Sequence, residues 1–94
     1  MASDYSKEVI LDQIRGGNGS RLGLQIQTGY TDRQIRKGIN ELRKDGHPIV
    51  NFGDGRGYFI TTSAREFDEW KRLFLSRAYD EIDTARRMER RFND

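Results

Sequence analysis

The sequence predicts a small α+β domain, mostly helical, that leads into a long amphipathic helix. Three observations predict it. Glycine-bearing punctuation at "GGNGS" (16–20), "DGHP" (45–48) and "GDGRG" (53–57) divides the first two-thirds of the chain. Before residue 45 most apolar residues recur at helical spacing, whereas "PIVNF" and "YFIT", on either side of the last glycine cluster, are β-branched and aromatic. From Ser63 onward there is neither Gly nor Pro.

The first helix is expected over about Tyr5 to Arg15, with Ile10, Leu11 and Ile14 on one face, Ser6 or Ser3 as its cap, and Gly16 and Gly17 ending it. A second short helix, about Arg21 to Thr28, follows Ser20 as a cap and ends at Gly29. Its Leu22, Leu24 and Ile26 alternate with period 2 rather than at helical spacing. The third helix has the best-marked start. Thr31 and Gln34 have the spacing of a capping box, and Asp32 places an acid at the positive end of the helix dipole. After Gly46 a β-hairpin is expected, with Pro48 confined to the start or edge of its first strand and a five-residue loop at 53–57. Ser63 and Glu66 repeat the capping-box spacing at the start of the long helix. The division is residues 1–62 as the globular domain and 63–94 as the helix.

The order helix, helix, turn, helix, hairpin, helix, carried by "TGYTDRQIRKGINELRKDGHPIV" and "GRGYFI", resembles the winged helix-turn-helix DNA-binding domains. The likeness spans roughly residues 5–61 and is nearest to the biotin-repressor-like subclass. More narrowly, the chain is similar to small phage-type winged-helix proteins in which such a domain leads into a charged C-terminal helix. The glycines at 16–19 and the alternating second helix depart from the tidier family pattern. The resemblance implies three helices plus a β-hairpin wing, double-stranded DNA as partner, a role in transcription regulation or as a phage DNA-transaction accessory factor, and a cytoplasmic location in a bacterial or phage-infected cell. It also implies that the third helix enters the major groove, mainly by its N-terminal half.

On a helical projection of residues 31–44, Ile35, Ile39 and Leu42 cluster on one side with Gly38 at their flank, a place where the second helix could approach closely. Arg33, Arg36, Lys37, Asn40 and Lys44 fall opposite. Arginine can bond a guanine edge with two parallel donors, asparagine can do the same for adenine, and lysine and threonine can hold phosphates. Arg33, Arg36 and Lys37 are therefore the expected central contacts and Asn40 a further base reader. Lys44, Thr31 and the first-turn amides are expected on phosphates. Arg56, at the tip of the glycine-rich hairpin, is placed to reach a minor groove. Against this, Arg36 could pair locally with Asn40 or Glu41, and the acids at 32, 41, 45 and 54 dilute the field. A protein-interaction module built on the same scaffold is the competing expectation. It predicts a neutralised or covered basic face.

Other function classes find little support. The chain has no Cys, so no disulfide, thiolate site or cysteine nucleophile, which fits a reducing cytoplasm. It has no 18-residue apolar run and no signal-peptide h-region. The single histidine, His47, precedes Pro48 and reads as a turn residue; no metal, cofactor or small-molecule ligand is expected. The acids of the last segment alternate with bases at i+4, Asp68 with Arg72 and Asp83 with Arg87, which reads as a salt-bridged surface, and no enzyme is expected. Net charge is +2, and it resides in residues 1–62, which hold nine Lys or Arg against seven Asp or Glu.

In the last segment Ala64, Phe67, Trp70, Phe74, Ala78, Ile82, Ala85, Met88 and Phe92 form one stripe along a helix of roughly 45 Å. The preceding domain, about 25 Å across, can cover only the first half. Phe67, Trp70 and Phe74 can pack on the domain. Phe74, Ala78, Ile82, Ala85, Met88 and Phe92 are expected to form a homodimer interface, since a soluble protein avoids leaving such a stripe in water.

Overall fold

A computed structural model describes residues 5–94. It is an α+β structure with α1 (Lys7–Arg15), α2 (Arg21–Thr28), α3 (Asp32–Lys44), β1 (Ile49–Val50), β2 (Phe59–Ile60) and α4 (Ala64–Asn93). The core lies where α1, α2 and α3 meet the hairpin. It comprises Ile10, Leu11, Ile14, Leu24, Ile35, Ile39, Leu42, Ile49 and Val50, with Tyr5, Tyr30, Tyr58 and Ile60 closing its rim. No described helix is long and apolar enough to cross a membrane.

The first helix starts two residues later than expected. Tyr5 is drawn into tertiary contact, its ring edge-on to Tyr30 at 6.1 Å, and the Ser6 amide donates to the Tyr30 hydroxyl at 3.0 Å. Ser6 occupies the cap position without a side-chain cap bond, because its hydroxyl donates to Glu8 instead. The alternative cap, Ser3, lies outside the described residues. In α2, Ser20 accepts from the Gly23 amide and Gly29 closes the helix at φ 73°. The period-2 pattern resolves simply: Leu24 alone is buried, and Leu22 and Ile26 lie one turn apart on the outer face.

Gly38 does permit close packing, but against α1 rather than α2. A Cβ there would stand 2.5 Å from Ile10 Cδ1 and 3.3 Å from the Tyr5 ring.

The hairpin is antiparallel, with Ile49 opposite Ile60 and Val50 opposite Phe59. Pro48 immediately precedes the first strand, and its carbonyl accepts from the Thr61 amide at 3.1 Å. The strands are shorter and the connection longer than the sequence suggested. Asn51 Oδ1 takes the Gly53 amide at 2.8 Å, turning the chain early. On the return side the Tyr58 amide leaves the hairpin and donates to the Gly19 carbonyl at 2.8 Å. The 16–20 loop thus packs against the base of the hairpin. Gly19 and Gly57 allow this; a Cβ on Gly19 would lie 1.8 Å from the Tyr58 carbonyl oxygen.

At the start of α4 only half of the second capping box forms. Ser63 Oγ accepts the Glu66 amide at 3.2 Å, while the Glu66 carboxylate turns to the Thr61 hydroxyl at 2.7 Å. Thr61 is the one buried polar residue among the described residues, and it in turn accepts the Ser63 amide at 3.1 Å. None of α4 is buried. Phe67 and Trp70 are half-covered, and Trp70 stacks on Phe74 at 4.8 Å. Phe74, Ile82, Met88 and Phe92 are 49%, 46%, 67% and 89% exposed. Asp83 and Arg87 form the expected i+4 pair at 2.8 Å; Asp68 and Arg72 do not pair.

Candidate nucleic-acid interface

The capping box fixes the start of α3: the Gln34 amide donates to Thr31 Oγ1 at 3.1 Å and the Thr31 amide to Gln34 Oε1 at 2.9 Å. From there the helical period buries Ile35, Gly38, Ile39 and Leu42 and leaves Arg33, Arg36, Lys37, Asn40 and Lys44 exposed together on the opposite side. The Thr31 hydroxyl is engaged as the cap acceptor, and its own proton remains available to an outside acceptor. The amides of Asp32 and Arg33 remain at the positive end of the helix.

The acids around this face are drawn to its margins. Asp32 accepts Arg21 at 2.8 and 3.0 Å and Arg36 at 3.0 Å. Glu41 accepts the Tyr5 hydroxyl, and that hydrogen bond to a carboxylate holds the phenol above its ordinary value. Asp45 takes the Lys7 ammonium at 2.6 Å, which raises the lysine. Among the described residues Arg33, Lys37 and Lys44 have no ion-pair partner. Lys37 lies 5.8 Å from the Tyr5 ring centroid, a weak contact at an exposed position. Arg36 pairs with Asp32, one turn before it, rather than with Asn40 or Glu41.

Arg56 sits in the hairpin loop but does not point away from it. Its guanidinium lies 2.8 Å from Asp54 and 3.5 Å from Glu66, and packs over Phe59 at 4.8 Å and Phe52 at 5.3 Å. It clasps the loop to the start of α4. The hydrogen bond from Arg56 holds the Asp54 carboxyl below its ordinary 3.8. A depressed carboxyl stabilises the clasp above that value, and the contribution is lost as pH falls through the folded pKa. Glycine amide resonances of 53, 55 and 57 are therefore expected to hold steady from neutral pH down to the ordinary carboxylate range. Below it they should shift together.

Two arginines carry roles that periodicity did not reveal. Arg21, at the start of α2, joins Asp32 and Arg36 along a cleft of about 270 Å³ that also reaches Ile35, Asn51 and Tyr58. It adds a cation beside the first turn of α3. Arg43 turns away from the basic face: its Nε donates to the Ile49 carbonyl at 2.8 Å and its guanidinium stacks 4.9 Å from the Trp70 ring. Burial lowers its pKa, yet an arginine there stays charged. It is the polar link between α3, β1 and α4. Arg43→Leu is expected to cost about 1–2 kcal/mol by orphaning the Ile49 carbonyl and losing the ring contact. The loss is readable as a lower melting temperature and a red-shifted Trp70 emission. Only its position next to the helix end hinted at this.

His47 is half-buried at the corner before Pro48. Among the described residues no three His, Cys, Asp or Glu stand together as a metal site. Compared with known proteins, the chain matches no family model, no curated relative and no solved structure.

Proposed function

We propose that this chain is a winged helix-turn-helix protein that binds double-stranded DNA through α3 and acts as a dimer paired along α4. One observation carries the reading: the basic face of α3 is uncovered, and the acids beside it are engaged at its edges. A scaffold with a purely protein-binding role predicts that face to be neutralised or packed against another element. Arg36 alone is partly neutralised.

In the major groove Arg33 and Arg36 offer paired donors to guanine edges, and Asn40 offers a donor and an acceptor to adenine. Lys37 and Lys44 are available to phosphates, and Arg21 joins them on releasing Asp32. The Thr31 hydroxyl proton and the free first-turn amides anchor another. Arg56 contributes to the wing's shape first. It reaches DNA only by releasing Asp54 and Glu66, so its share of the affinity is the smallest of the set. Two such surfaces in one dimer read a two-fold symmetric site and gain from effective concentration. The biological role that fits is a small regulator of transcription or an accessory factor in phage DNA transactions.

The test is fluorescence anisotropy with a 30-bp duplex over a salt series. For about four phosphate contacts in each copy, and so about eight in the dimer, affinity should fall roughly 10,000-fold between about 50 and 200 mM salt. Absence of binding at low salt would remove the proposal.

A further inference from the structure

The stripe on α4 contains more information than the presence of a partner. From Phe67 to Phe92 its eight apolar residues fall in four pairs, each centred within half a residue of one point on the helix. Reversing the helix about a point between Tyr79 and Asp80 brings every member against another. Phe67 meets Phe92 of the second copy and Trp70 meets Met88. Further in, Phe74 meets Ala85 and Ala78 meets Ile82. Large residues therefore face small ones at the inner levels, which lets the helices interdigitate.

The flanking charges agree with the same reversal. Lys71 and Glu89 border the stripe on one side, Arg77 and Glu81 on the other. In antiparallel pairs, residues on the same flank face each other. Lys71 then meets Glu89 and Arg77 meets Glu81, opposite signs at both levels. A parallel pair instead sets Ala78 on Ala78 and Ala85 on Ala85 beside a Trp70 pair.

The ends match a feature of the globular part. Between α4 and the corner joining α3 to β1 runs a groove of about 270 Å³, walled by His47, Pro48, Ile49, Phe67 and Trp70. Reversal delivers the tip of the second α4 to this groove. Met88 and Phe92, 67% and 89% exposed in one copy, are the side chains that arrive there.

We propose that two copies pair antiparallel along α4, centred between Tyr79 and Asp80, with the Met88–Phe92 tip of each seated against Trp70, Phe67 and the His47–Ile49 corner of the other. This rests on the dimer reading above and adds its direction, register and contact with the globular domain. The two domains then stand at opposite ends of the pair, their α4 starts roughly 45 Å apart at 1.5 Å per residue.

The cysteine-free chain makes the test clean. Lys71 and Glu89 are exposed, so K71C, E89C and the K71C/E89C double variant should fold as the parent does. Each is treated with a short bismaleimide. Within one helix the two positions are about 27 Å apart, beyond the reagent. The double variant is expected to cross-link as its dominant product to twice the 11.0 kDa chain mass, and each single variant to stay uncross-linked. Cross-linking of K71C or E89C to itself overturns the antiparallel register and leaves the dimer standing. A dimer in sedimentation with no cross-link in any variant also overturns it. Sedimentation of the parent at 11.0 kDa across micromolar concentrations removes the dimer itself, and the proposal with it.

Discussion

Changing Arg33, Arg36 and Lys37 together to Ala is expected to weaken duplex binding about 100-fold or more. The estimate follows from roughly 1–3 kcal/mol for each well-placed base contact. The slope of affinity against salt should flatten as well, since a phosphate contact leaves with the lysine. Stability should change by less than about 1 kcal/mol, because the three side chains are exposed and the only ion pair lost is the exposed one between Arg36 and Asp32. The effect is thereby separable from unfolding. Within the set, Arg33 should matter more than Arg36, because Arg36 must first exchange Asp32 for its target. The measurement is anisotropy on the triple and single variants alongside a thermal melt of each. A triple variant that binds as the parent does would shift attention to a protein partner, for which Leu22 and Ile26, exposed on α2, are available.

The largest stability effect is expected at a glycine far from that face. In Gly19→Ala the new methyl would overlap the Tyr58 carbonyl oxygen at 1.8 Å, and its carbon at 2.8 Å. Both are backbone atoms, so no rotamer change relieves the clash; the 16–20 loop and the hairpin must move apart. That breaks the Tyr58 to Gly19 hydrogen bond and opens the core beside Tyr58. A cost of about 3 kcal/mol or more is expected, lowering the melting temperature by more than about 10 °C in a chain of this size. Gly16→Ala is the internal comparison. Its φ is −80° and its nearest neighbour would be 3.4 Å away, so it should be near neutral. Equal melting temperatures for the two would show that the loop does not hold the hairpin.

The sequence carried the elements well and their contacts less well. Caps and glycines are local signals, so Ser20, Thr31, Ser63 and Gly29 marked helix boundaries that the structure reproduces. The basic face of α3 was equally legible, because exposure on a short helix follows from period alone. Tertiary partners were not. Nothing in the spacing says that Gly38 faces Ile10, that Arg43 reaches Ile49, or that Arg56 folds back toward Glu66. Each depends on how elements separated by a turn come to lie, and long flexible side chains then choose among several nearby partners. The departure at 16–19 was visible in the residues, but its reason, a backbone contact with residue 58, is a non-local one. The Tyr58 amide faces away from the first strand in this register, which leaves it free to bond the Gly19 carbonyl.

The most direct measurement is amide chemical-shift mapping of the ¹⁵N-labelled protein as a duplex is added at low salt. The largest changes are expected along Thr31, Arg33, Arg36, Lys37, Asn40 and Lys44, with smaller ones at Arg21 and in the 53–57 loop. The C-terminal half of α4 should stay unperturbed. Changes confined to α4, or none on α3 at concentrations where binding is saturated, would contradict binding through α3.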